Sequence, residues 1–375
     1  MSAWVFTDSK SPLELVNFSL TNIKLEEGEL LIKLDAATIC GSDVHTIEGK
    51  RIDPAAPLIL GHEGCGTVLR TCSYGGEEEQ EQFKELIGKR VTWSVMSSCG
   101  TCLSCSKLSL PQKCTSALFK YGHASYNKND GSGLYGCYST HIVLKKGTCV
   151  VQLPDNISNA IAAPANCALA TVCCAMRTAL RSLGLKSSFS ELSTGGANIL
   201  VQGCGLLGLY AISLAKEFGA ISITATDVSE SRLELAKKFG ATRCYNLSNK
   251  SENPLVNEFD LVFEVCGVIS AVKQGISALR FGGSMILVGL VHPQSDLSGV
   301  TAESIIRKCA TLVGVHNYAP EDLQAAVDFL SRHVLQNDLP LSEITSEALP
   351  LSSLVEGIEL AKTGRFSRVL ITPNE

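Results

Sequence analysis

Residues 198–227 read NILVQGCGLLGLYAISLAKEFGAISITATD, and this stretch decides the fold. NILVQG is an apolar run of strand length, LLGLYAISLAKEFGA carries its apolar residues at helical spacing, and ISITATD is again a strand. Gly203-Cys-Gly205-Leu206-Leu207-Gly208 stands where the first strand meets the helix. GxGxxG alone is weak evidence, but this strand–turn–helix setting makes it a dinucleotide-binding fingerprint. Gly203 permits the tight turn, Gly205 lets the backbone approach a pyrophosphate, and Gly208 lets helix pack on strand. Leu206 and Leu207 open a helix whose N-terminus offers N–H donors and partial positive charge to the phosphates. Asp227 ends the next strand about twenty residues on, where a carboxylate accepts the ribose hydroxyls of NAD and repels the 2′-phosphate of NADP. Arg232 lies nearby and leaves some NADP tolerance open.

Working outward, residues 166–314 continue to alternate strands and helices, with SRLELAKKFGA, FDLVFEV and GSMILVG as the clearest segments. That alternation predicts an α/β, doubly wound parallel sheet. Residues 1–165 differ: ELLIKLDAATI and STHIVLKKGTCVVQL are short strands among glycine turns, so this region is expected to be β-rich. Residues 315–375, which carry GRFSRVLITP near their end, are expected to return to complete the first domain. The stretch 75–88, GGEEEQEQFKELIG, holds five acidic residues and reads as an exposed loop with a short helix.

The β-rich region carries the chemistry. Cys40 lies in ICGSDVH, and His62 lies in GHEGCGTV. Thiolate and imidazole are ligands zinc prefers. A lone His62 would read as a core histidine; the pairing with Cys40 and the glycine turn reverses that. Ser42 and His45 follow the thiolate closely and suit proton transfer at an exposed metal site. Separately, CGTCLSCSKLSLPQKC supplies Cys99, Cys102, Cys105 and Cys114. Four closely spaced thiolates can close a tetrahedral zinc shell, which is the mark of a structural site.

In these motifs the chain resembles the zinc-dependent medium-chain alcohol dehydrogenases. The resemblance covers nearly the whole sequence and implies a GroES-like catalytic domain followed by a Rossmann-type domain. It makes the four-cysteine lobe a structural zinc site, although the last interval is eight residues where seven is commoner. It draws the third catalytic zinc ligand from APANCALATVCCAMRTAL, where Cys167 matches best because Thr171 follows at the spacing of a cofactor contact. It implies that Glu63 stands beside the catalytic zinc and can bind it transiently, and that Arg368 contacts the cofactor pyrophosphate. The reaction it implies is reversible oxidation of an alcohol to an aldehyde or ketone with hydride transfer to NAD. Ser42 would take the proton and pass it through the cofactor ribose to His45. A homodimer or homotetramer follows from the same likeness. Polyol and threonine dehydrogenases share every motif named, and a non-catalytic zinc- and NAD-binding module is the reading from another class.

Bulk properties fit. The net charge is −5 with no basic block, which argues against nucleic acid. No apolar run is expected to approach the length of a membrane span. The polar N-terminus lacks a signal-peptide pattern, so a reducing cytoplasm is expected. There the sixteen cysteines are free, metal-bound or catalytic.

Overall fold

The computed structural model describes residues 1–73, 75–127, 132–185, 193–248, 255–291, 295, 297 and 299–373, without the side chains of 78, 79 and 82. The chain divides into two compact units, Met1–Cys167 with Ala319–Glu375, and Ala168–Tyr318.

The first unit is built on an eight-stranded sheet. Its main path runs Thr345–Pro350, Arg368–Thr372, Leu30–Ile39, Glu63–Thr71, Arg90–Ser97 and Phe119–Lys120. His141–Leu144 pairs with Leu30–Ile39, and Thr148–Gln152 pairs with Arg90–Ser97. Leu30–Ile39 is buried along nearly its whole length, as expected of a central strand. Leu31, Ile32, Leu34, Trp93, Tyr121 and Tyr138 anchor the core of this unit. In the acidic 75–88 stretch, Glu77–Glu85 is a helix, and Phe83 and Leu86 are partly buried against that core.

The second unit is a six-stranded, wholly parallel sheet. Its order is Arg243–Asn246, Ser222–Asp227, Asn198–Gln202, Phe259–Glu264, Leu279–Leu287, Thr311–Gly314. The chain starts centrally, winds outward one way, then returns to wind the other. The order therefore reverses between Asn198–Gln202 and Phe259–Glu264, and a ligand crevice opens at such a reversal.

One expectation needs correcting. Asn159–Ser182 forms 24 residues of helix with a mean hydropathy of 1.4, long and apolar enough to cross a membrane. However, 78% of its most apolar window is buried inside the protein, so it reads as a core helix. Pro164 and Asn166 interrupt the apolar run and hide its length in the sequence.

Candidate metal centre and nucleotide site

Strand register assembles the first centre. Thr38 lies opposite Glu63, and Ile39 lies opposite Val369. The end of Leu30–Ile39 is thereby flanked by the starts of Glu63–Thr71 and Arg368–Thr372. Cys40 follows as the N-cap of the helix Gly41–Ile47. There the Asp43 carboxylate accepts the Cys40 backbone N–H at 3.1 Å, forming a capping box. Cys167 arrives on a π turn, Ala165–Leu169, a widened turn often found at functional sites. The ligand atoms of Cys40, His62, Glu63 and Cys167 all lie within 4.8 Å of one another, and Cys167 Sγ is 3.4 Å from His62 Nε2.

Glu63 is the committed member of this group. It is fully buried, and its carboxylate accepts Arg368 Nε at 2.7 and 3.0 Å, Arg368 Nη2 at 2.8 Å and Thr38 Oγ1 at 2.6 Å. A forked guanidinium and a hydroxyl occupy both of its oxygens. Cys40, His62 and Cys167 are left as the donors that could hold a metal with a fourth position open, the pattern of a catalytic zinc.

The electrostatics agree. A hydrogen bond from the Cys167 thiol, with the Arg368 guanidinium and His62 nearby, holds the Cys40 thiol well below its usual range despite burial. The same hydrogen bond, with burial, pushes Cys167 well up. Two thiols thus share a proton that a cation would displace. Burial disfavours a charged His62, but the Asp43 carboxylate, 3.3 Å from Nδ1, outweighs it and raises the imidazole. Burial, assisted by Cys40, pushes Glu63 up to about 7 against the pull of Arg368.

Behind the ligands stand residues that the sequence reading missed. Asp43 is fully buried; its Oδ2 also accepts the Tyr138 hydroxyl at 3.0 Å, while Oδ1 faces His62. A carboxylate on the outer nitrogen of a ligating histidine fixes ring and tautomer. Its signal was legible, three residues after Cys40 at the capping-box position. Asn166 donates to the carbonyls of His62 and Trp93, both at 3.0 Å, and so ties the Cys167 turn to two strands. Ser42 is partly buried in the first turn of Gly41–Ile47, and His45 is exposed on the same helix.

Cys99, Cys102, Cys105 and Cys114 form the second metal-competent group. Their sulfurs lie 3.9 Å (Cys99–Cys105), 3.4 Å (Cys102–Cys105) and 3.9 Å (Cys102–Cys114) apart. A tetrahedron with Zn–S bonds of about 2.3 Å has edges of about 3.8 Å, so the spacing fits that ion. Backbone N–H groups of Thr101 and Cys102 point at Cys99 Sγ, and those of Cys99 and Ala117 at Cys114 Sγ. Such donors stabilise thiolate.

The nucleotide motif lies in the second unit. Gly203 has φ +101°, and a Cβ there would meet Cys266 Cβ at 2.7 Å; one on Gly208 would meet the Gly203 carbonyl oxygen at 1.9 Å. Gly205 is the N-cap of the helix Leu206–Glu217 and faces open space, a cradle through which a phosphate could approach. Leu206 is buried and Leu207 partly so. Asp227 accepts the Cys204 N–H at 2.8 Å through Oδ2, while Oδ1 takes the N–H groups of Val228 and Ser229. Across the strand reversal, Glu264 accepts N–H groups of Cys266, Gly267 and Gly289, pinning two further loops. Thr171 is buried near the start of Ala170–Ser182, and Arg232 is half-buried on Glu230–Phe239.

Comparisons with known proteins agree with this geometry. The profile described as "Alcohol dehydrogenase GroES-like domain" matches residues 26–155, and the one described as "Zinc-binding dehydrogenase" matches residues 207–332. L-threonine 3-dehydrogenase of Cronobacter sakazakii is 28% identical over 356 residues, 92% of each chain. Among solved structures, an alcohol dehydrogenase from Thermotoga maritima matches with a TM-score of 0.84 and 25% identity, covering 100% of this chain and 99% of the other. An alcohol dehydrogenase from Thermus sp. ATN1 matches with a TM-score of 0.78 and 26% identity, covering 99% of both chains.

Proposed function

The chain belongs to the zinc-dependent medium-chain alcohol dehydrogenase family, and from that premise we infer that it reversibly oxidises a primary or secondary alcohol to an aldehyde or ketone, with NAD as hydride acceptor. The observation that carries this reading is the committed state of Glu63. With its oxygens held by Arg368 and Thr38, three donors remain, and a metal that they held would keep a position open for substrate. When bound, zinc would supply Lewis acidity toward the substrate hydroxyl, and NAD would be the hydride acceptor.

The chain's residues set up the rest. Cys40, His62 and Cys167 hold the catalytic ion, while Asp43 keeps His62 in the tautomer whose Nε2 is a donor to metal. Ser42 accepts the hydroxyl proton. His45, three residues on along the same helix face, passes it to solvent. Cys99, Cys102, Cys105 and Cys114 hold a second, structural zinc. Gly203, Gly205, Leu206, Leu207 and Gly208 cradle the pyrophosphate, with Thr171 as a further cofactor contact. Arg368 contributes charge to the cofactor side while holding Glu63. Asp227 takes the ribose hydroxyls and favours NAD, with Arg232 close by on the next helix. We take the active form to be a homodimer or homotetramer, as the family likeness suggests, in a reducing cytoplasm that suits sixteen cysteines held in no disulfide.

A threonine-type substrate is the second reading, supported by the threonine dehydrogenase relatives. The experiment is NADH formation on a panel of primary, secondary, cyclic, polyol and amino alcohols, with NAD or NADP and a chelator control. Chelator-sensitive turnover with NAD supports the reading and ranks the substrates. Silence across the panel at full zinc content would overturn it in favour of a binding module.

A further inference from the structure

Glu264 pins two loops at the strand reversal, and its hold reaches the glycine motif. It closes the strand Phe259–Glu264 and is fully buried. Its register partners are Gln202 on one side and Leu287 on the other, so it stands at the strand ends where the sheet order reverses. Oε1 accepts the backbone N–H groups of Cys266 at 2.9 Å and Gly267 at 2.6 Å, and the Cys266 thiol at 3.3 Å. Oε2 accepts the Gly289 N–H at 3.2 Å. A carboxylate accepts through both oxygens, so it holds N–H groups of two loops at once; an amide offers one oxygen only.

The loops it holds pack on each other and on the motif. A Cβ on Gly289 would meet the Gly267 nitrogen at 2.4 Å, and one on Gly267 would meet the Gly289 carbonyl oxygen at 3.0 Å. Cys266 sits against Gly203, where a Cβ would meet its Cβ at 2.7 Å and its Cα at 3.0 Å. Residues 203, 266–267 and 289 therefore meet in close backbone contact, and Glu264 is the side chain that ties the last two segments together. N–H groups converging on one point form an anion nest, and Glu264 fills this one from within. Outward, the same loops present apolar surface: Val268 and Val291 are 50% and 62% exposed.

We propose that Glu264 is a positioning residue for the dinucleotide, fixing the wall that receives the half of the cofactor beyond the pyrophosphate. A dinucleotide that crosses the reversal with its adenosine at Asp227 lays its other half over the loops that follow Phe259–Glu264 and Leu279–Leu287. Being fully buried, Glu264 acts through the backbone of Cys266, Gly267 and Gly289. The inference rests on the reading of 203–208 as the pyrophosphate cradle.

The test is calorimetric binding of NADH and of AMP to the full chain as wild type, Glu264→Gln and Gly289→Ala, with KM for NAD and kcat on the best alcohol in parallel. Glutamine keeps one acceptor oxygen and turns an amide donor on the N–H of the other loop. Alanine at 289 reaches the same contact from the opposite side, by driving a Cβ into the backbone of Gly267. Each variant should bind NADH at least about tenfold more weakly, with AMP, which ends at the cradle, weakened less than about threefold. KM for NAD should rise while kcat holds or rises. A general loosening of the fold would weaken both ligands together, so the split between NADH and AMP separates positioning from stability. Unchanged NADH affinity in either variant, or equal losses for NADH and AMP, would overturn the proposal and leave the dehydrogenase reading standing. Wild type that bound neither NADH nor NADPH would overturn the cradle reading and this proposal with it.

Discussion

Replacing Asp43 by asparagine should weaken the catalytic metal site without unfolding the protein. Asp43 is fully buried and meets three groups: the Cys40 backbone N–H at 3.1 Å, the Tyr138 hydroxyl at 3.0 Å and His62 Nδ1 at 3.3 Å. Asparagine is nearly isosteric, and its carbonyl oxygen can still accept from Cys40 and Tyr138, so the helix cap survives. Its amide nitrogen, however, then faces His62 Nδ1 as a donor. The imidazole proton is driven to Nε2, the nitrogen 3.4 Å from Cys167 Sγ that must be free to bind metal. Loss of such a partner costs about 10- to 100-fold in metal affinity. That range corresponds to about 1.4–2.7 kcal/mol. The assay is zinc competition against a chromophoric chelator, with urea unfolding in parallel. The expected result is one of the two zinc ions per chain bound 10- to 100-fold more weakly, with the unfolding midpoint of the zinc-saturated protein little changed. Wild-type zinc affinity in Asp43→Asn would refute the claim that this carboxylate orients His62.

Three further outcomes follow from named contacts. Cys102→Ser removes a sulfur 3.4 Å from Cys105 and 3.9 Å from Cys114, so zinc content should fall by one ion per chain and the 99–114 lobe should become the first site of proteolysis; unchanged zinc content would contradict the tetrad. Asp227→Asn should raise the NADP-to-NAD ratio of kcat/KM at least about tenfold, worth about 1.4 kcal/mol, and an unchanged ratio would remove Asp227 from cofactor selection. Burial, with help from Lys33 and the N-terminal amine, pushes His141 down to about 4. Its folded value lies below the unfolded one of about 6.5, so its stabilisation is full above that pH and fades as pH falls toward 4. Between about pH 7 and pH 5, wild type should lose up to about 2 kcal/mol more unfolding stability than His141→Gln; equal losses would show that the ring is not held neutral.

Much of the architecture was legible because it rests on local signals. The glycine fingerprint with its strand and helix lies within thirty residues, and the four cysteines lie within sixteen. Cys40 and His62 could be paired from their motifs. The relation of Arg368 to Glu63 is different: 305 residues separate them, and only the register of Arg368–Thr372 against Leu30–Ile39 brings them together. A one-residue slip in that pairing would turn Arg368 to the other face. Asp43 was visible in the motif, but its burial and its contact with His62 depend on tertiary packing. The π turn that carries Cys167 has no sequence signal of its own, and the same turn disguises a 24-residue apolar helix.

The central claim is that Cys40, His62 and Cys167 hold a zinc ion that chemistry depends on, apart from a second that only supports the fold. Zinc analysis of wild type and His62→Ala, paired with NADH formation on the best alcohol and NAD binding by calorimetry, tests it most directly. Wild type should hold two zinc ions per chain and the variant one, with turnover abolished and NAD still bound. Full turnover in His62→Ala, or two firmly bound zinc ions in it, would contradict the assignment of His62 to a catalytic zinc.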